Sequence, residues 1–161
     1  MRVLCCLDGT NVGPVKKATE ILSSTQPLTL GLLYVIDLGP RKDIEHTRER
    51  FFRPHDLPRQ RDDEMHQADH STASEILREA LNALPDGEVF EREGRPEREI
   101  VNAAAEWEAD LVMICPRIGY GGRPVIGPKS VGHVARFVVD HAPCPVLVVR
   151  PLAREQFPIE R

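Results

Sequence analysis

Residues 109–150 read ADLVMICPRIGYGGRPVIGPKSVGHVARFVVDHAPCPVLVVR. Leu111–Cys115 is an apolar run short enough to be one buried strand, and Pro145–Val149 is a second. Between them lie Gly119, Gly121, Gly122 and Gly127, then an amphipathic run from Gly132 to His141. Strand, glycine loop, helix, strand is a βαβ unit, in which a right-handed crossover joins two parallel strands. Glycine lets the backbone approach a ligand closely. A glycine loop that runs into a helix start points free N–H groups and the positive end of the helix dipole the same way, which favours an anion.

The same alternation extends to the N-terminus. Arg2–Leu7 reads as a first strand, closed by the turn cluster Asp8-Gly9-Thr10-Asn11. Thr10 or Asn11 can cap a helix from about Val12 to Ser23, with apolar positions at Val12, Val15, Ala18, Ile21 and Leu22. Leu28–Ile36 (LTLGLLYVI) is a second strand. Ser71–Leu84 predicts an amphipathic helix with Ile76, Leu77, Ala80, Leu81 and Leu84 on one side, capped by Ser71 or Thr72 and stopped by Pro85-Asp86-Gly87. Glu88–Glu93 sets Val89 against charged neighbours and reads as an edge strand. Pro96–Glu108 is the next helix, with Ile100, Val101, Ala104 and Trp107 facing in. Five strands alternating with four helices predict a parallel sheet covered on both faces.

Two stretches stand apart. Residues 38–69 carry dense charge, several prolines and six arginines between Arg41 and Arg61, with no sustained apolar period. Asp43–Phe52 can form a short helix there; the excursion reads as solvated surface, or as a lid or partner surface. Residues 152–161 form a tail poor in apolar side chains. The remainder, 1–151, is expected to be one domain.

The chain resembles the universal stress protein family, small α/β proteins that often bind ATP. Its nucleotide motif is Gly, two residues, Gly, nine residues, Gly, then Ser or Thr. Gly119, Gly122 and Gly132 fall at that spacing, and His133 stands where Ser or Thr is expected. His141–Arg150 (HAPCPVLVVR), Asp8-Gly9-Thr10, Tyr34-Val35-Ile36-Asp37 and Glu93-Gly94-Arg95-Pro96 also match the family pattern. The resemblance implies strand order 3-2-1-4-5, the arrangement of the adenine nucleotide alpha hydrolase-like folds. That order puts a switch point between the first and fourth strands, where ligands bind at the carboxyl ends of strands.

The resemblance further implies a nucleotide site of Asp8, Gly9, Thr10, Val35, Ile36, Cys115, Arg117, Gly119, Gly122, Gly132, His133 and Val134. Asp8 corresponds to the acid near the ribose and phosphate-bound metal, so nucleotide-bound Mg²⁺ would be its metal. Its other reading is an Asx-turn or cap. Val35 and Ile36 match positions that hold adenine. The family's first motif glycine comes at the end of the fourth strand, where this chain has Cys115; either the loop is longer and the motif has slid, or the spacing is coincidence. His133 can donate from a ring nitrogen in place of a hydroxyl. The expected ligand is ATP, or AMP or ADP, with Mg²⁺ as counter-ion. The other reading is a stress-protein fold without nucleotide, acting as a dimeric interaction module.

Composition excludes several classes. The 161 residues are 41% hydrophobic and 29% charged, ordinary for a globular domain. A formal charge of −4 gives no basic footprint, so no nucleic-acid partner is expected. No apolar run reaches the ~20 residues of a membrane helix, and Asp8 interrupts the N-terminal apolar run, so a cytoplasmic protein is expected. Cys5, Cys6, Cys115 and Cys144 lack metal spacing and read as small hydrophobes. No nucleophile-plus-base set is visible, so no catalytic residue is expected; a slow ATPase is the remaining enzymatic reading. His66 and His70, four apart, can share a helix face as metal pairs do, but the run around them is polar and reads as surface. Pro145–Val149, at a sheet edge, predicts a homodimer through the last strand; any further protein partner is unnamed by the sequence.

Overall fold

The computed structural model of the chain describes residues 1–39, 59–116 and 131–150. Among them are five strands and four helices. In chain order these are β1 (Arg2–Leu7), α1 (Val12–Ser23), β2 (Thr29–Asp37), α2 (Arg59–Ala83), β3 (Glu88–Gly94), α3 (Pro96–Glu106), β4 (Leu111–Ile114), α4 (His133–His141) and β5 (Val146–Val148). The strands form one sheet in the order β3-β2-β1-β4-β5, every pairing parallel. The expected order is therefore the observed one.

A central parallel strand is covered on both faces, so its sequence loses alternation and becomes continuously apolar. β1 fits this rule: Val3 through Leu7 are all buried. Val3, Cys5 and Leu7 pack with Leu32 and Met113 against Val12 and Val15 of α1 and Leu77 and Ala80 of α2. On the opposite face Leu4, Cys6, Leu33, Val112 and Ile114 meet Ile100, Ala103 and Ala104 of α3 and Ala135 and Val138 of α4, with Trp107 just beyond α3. Each fully buried Leu or Val contributes about 1.5–3 kcal/mol, so the two layers together hold the sheet. The Trp107 indole N–H donates to Glu88 Oε2 at 3.0 Å, which satisfies its polar edge. Ile21, one of the apolar positions of α1, is 71% exposed and belongs to neither layer.

Among the described residues β3 and β5 are the sheet edges, and they differ in chemistry. β3 reads EVFEREG, with Glu91 and Glu93 exposed; β5 reads VLV, half-buried throughout.

The predicted helix at Ser71–Leu84 is corrected. α2 begins at Arg59, so Ser71 and Thr72 are interior residues and cap nothing. The Thr72 hydroxyl instead donates to the Ala68 carbonyl at 3.0 Å, one turn back. The expected excursion thus supplies the front half of a helix from residue 59 onward. The Asp43–Phe52 helix and the 152–161 tail lie outside the described residues.

Candidate functional site

The chain leaves β1 outward through β2 to β3, then returns to lay β4 on the other side of β1. Connections therefore diverge above the carboxyl ends of β1 and β4, the place where doubly wound sheets bind their ligands. Asp8 follows β1 and Cys115 follows β4 at this point.

Asp8 is exposed, and its Oδ1 accepts from both the Thr10 N–H and the Thr10 hydroxyl at 2.9 Å. That is an Asx-turn. Its second oxygen makes no hydrogen bond among the described residues. Gly9 takes φ 85°, a left-handed conformation that favours glycine, and Ile76 of α2 lies 3.0 Å from where a β-carbon would stand. Asn11 precedes α1, yet its side chain makes no cap bond. It is buried, donates to the Cys6 carbonyl at 2.9 Å and accepts from the Asp8 N–H at 3.1 Å. Asn11 therefore straps the turn from both sides. It also hydrogen-bonds the Cys115 thiol.

Burial pushes the Cys115 thiol up to about 11; the Asn11 hydrogen bond opposes that rise and the Asp8 carboxylate adds to it. A thiol so placed is neutral near pH 7 and is not a nucleophile.

A small cleft of about 100 Å³ lies between β2 and α2, lined by Tyr34, Ile36, Asp37, Asp69 and Thr72. The Tyr34 hydroxyl is raised by burial and then by the carboxylates of Asp69 and Asp8, which brings Asp8 to the same neighbourhood. The volume is below the roughly 300–1,000 Å³ of a ligand pocket. Val35 and Ile36 point to opposite sheet faces, as successive strand residues must. Ile36 borders this cleft, while Val35 packs on the α3 and α4 side.

α4 opens from Gly132 at φ 81° and ψ 165°. The positive φ favours glycine, and no described atom lies within 4 Å of where a β-carbon would stand. A crossover helix runs antiparallel to its strands, so this N-terminus sits at the carboxyl end of the sheet. His133 is exposed, with Nε2 3.7 Å from Glu97 Oε1. Glu97 is buried and is held by Arg95 Nε at 3.1 Å. Val134 packs against the α3 and α4 core. Arg117, Gly119 and Gly122 lie outside the described residues.

The carboxyl end of the sheet is thus electrically graded. Asp8, Asp37 and Asp69 accept hydrogen bonds from hydroxyl or amino groups and repel phosphate. The start of α4 has the opposite preference. Asn11, Tyr34, Asp69 and Thr72 were not read as site residues from the sequence. The signal available for Tyr34 was its spacing of two from Ile36, which puts both on one face.

A doubly wound α/β protein with its switch point between β1 and β4 is the class defined so far. The universal stress protein family matches residues 1–150, and the chain belongs to that family. A universal stress protein of Thermus aquaticus, from the QAH/OAS sulfhydrylase 3′ region, is 37% identical over 71 residues. That match spans 44% of this chain and about half, 49%, of the relative. Universal stress protein UspA from Lactobacillus plantarum superposes with a TM-score of 0.65 at 22% identity, covering 93% of this chain and 97% of the other. A family protein from Arabidopsis thaliana with AMP bound gives 0.58 at 19% identity over 99% and 97%. A universal stress protein in complex with cAMP gives 0.54 at 22% identity over 93% and 96%. These likenesses show the fold. No helix among the described residues is long and apolar enough to cross a membrane.

Proposed function

We propose that this chain binds an adenine nucleotide across the β1/β4 crevice, with ATP and Mg²⁺ as the expected pair, and serves a cytoplasmic stress response as a binding protein and not an enzyme. The observation that carries the reading is the meeting of Asp8, Asn11 and Cys115 at the sheet's reversal point. Relatives of the same fold with AMP and cAMP support an adenine ligand.

The residues fit such a group. Asp8 keeps one exposed carboxylate oxygen for a ribose hydroxyl or a phosphate-bound cation. Ile36 and Tyr34 give an apolar wall for a base, and Asp37 and Asp69 accept from hydroxyl or amino donors. The glycine backbone at Gly132 and the start of α4 suit phosphate. Bound Mg²⁺ supplies charge neutralisation for the phosphate oxygens. Arg117, Gly119 and Gly122 belong to the same proposal on their motif spacing.

A second reading, a dimeric interaction module without nucleotide, is favoured by two observations. Cys115 holds a neutral thiol where the family has its first glycine, and the His133 imidazole faces Glu97. Titration calorimetry with ATP, with and without Mg²⁺, separates the two. Binding that strengthens with Mg²⁺ is expected, together with at least a tenfold loss in Gly132→Val, whose side chain would stand in the proposed phosphate approach at a strained φ. Absence of heat at millimolar ATP would leave the second reading.

A further inference from the structure

We propose that His66, His70 and Glu93 bind one zinc ion, with Glu91 orienting His70. The two histidines are four residues apart on α2, which puts them on one face, and their ring centroids are 4.5 Å apart. Glu91 and Glu93 alternate on the edge strand β3 and both face α2. Glu93 reaches both rings: Oε2 lies 3.2 Å from His66 Nε2 and Oε1 lies 2.9 Å from His70 Nε2. Glu91 Oε1 lies 2.5 Å from His70 Nδ1.

Proton bookkeeping makes this cluster unusual. A neutral imidazole has one N–H. His70 sets both ring nitrogens against carboxylates. With its N–H directed to Glu91, Nε2 faces Glu93, and positive charge between those two, a second proton or a metal ion, holds that contact. The Nδ1–H to carboxylate bond is also the usual support for a metal-bound imidazole, because it fixes the tautomer and raises ligand basicity.

The spacing suits zinc. Zinc holds nitrogen and oxygen donors at about 2.0–2.2 Å in a tetrahedron, so donor atoms lie roughly 3.4 Å apart. Here the donor atoms of the three residues lie within 4.8 Å of one another. Their side chains are 47%, 36% and 35% exposed, so an ion from solvent can reach them. Two imidazoles and one carboxylate favour zinc over Mg²⁺ or Ca²⁺, which prefer oxygen. Three protein ligands leave a fourth position for water. The cluster uses none of the residues of the proposed nucleotide site.

The test takes the full chain, stripped with chelator, dialysed and titrated with Zn²⁺ without nucleotide. One zinc per chain is expected. His66→Gln and His70→Gln should each lose more than the roughly 10–100-fold of an outer-sphere change, and Glu91→Gln about tenfold. Co²⁺ in place of Zn²⁺ should give a tetrahedral visible spectrum without thiolate charge transfer. Should a histidine variant fail to fold, Glu93→Gln is read by loss of the zinc-induced rise in Tm. Failure of the wild type to take up zinc at tens of micromolar overturns the proposal and leaves ion pairs that tether α2. So does undiminished uptake by both histidine variants, or a thiolate band, which would move the ion to the cysteines.

Discussion

Burial sets the chemistry of the cysteines. Desolvation, then the neighbouring Cys115, pushes the Cys5 thiol up to about 12. Cys6 is raised in the same sense, chiefly by burial, and Cys115 stands at about 11. The sign of the pH effect follows. Unfolded thiols ionise near 9 and these do so later, so above that value the unfolded chain binds fewer protons and folding stability falls. Stability from these thiols is intact below about pH 9 and is lost as pH rises toward 11–12. The buried Cys5 thiol contributes a slope of about 1.4 kcal/mol per pH unit in that window. Urea midpoints measured from pH 7.5 to 10.5 should therefore fall at the alkaline end, and less steeply in Cys5→Ala. Parallel curves for the two proteins would show that Cys5 does not titrate in the unfolding reaction.

Among the elements, α2 departs most from expectation. Its 25 residues span roughly 37 Å, while the nine of β2 span roughly 30 Å. Thr72→Pro distinguishes the two possible helix starts. At the first turn of a helix capped by Ser71, proline would be tolerated; inside α2 it removes a backbone bond and clashes one turn back, at a cost of about 3 kcal/mol. A cooperative unfolding curve shifted by that amount is expected, and an unchanged curve would return the helix start to Ser71. The sheet was legible because β1, β2 and β4 bury runs too apolar and too short for anything else. The early start of α2 was not, because its front half reaches the rim, where no apolar stripe is selected. The signal that remained was the absence of Gly and Pro from Arg59 to Leu84, with His66 and His70 one turn apart. At the switch point, Asp8 and Cys115 were readable from their places after strands. Asn11, Tyr34 and Asp69 were not, since their roles depend on hydrogen bonds and neighbours made across the fold. Val35 and Ile36 were read as a pair, and the strand pleat separates them.

At the scale of the whole molecule, the two sheet edges bear on how the chain associates. We propose a homodimer in which β5 meets its copy about a two-fold axis, since a short apolar edge is a pairing surface. Sedimentation should show dimers at tens of micromolar, an order-of-magnitude range for a modest interface. A monomer there removes the proposal. The acidic edge at β3 then gains a meaning. Joining β5 of one chain to β3 of the next would leave a fresh edge each time and grow a filament without end. In that dimer Glu88, Glu91 and Glu93 on β3 would withhold that partner, leaving β5 its own twin as the matching edge and halting growth at two copies. A ladder of larger sizes in the same sedimentation experiment would show that the charged border fails to terminate assembly.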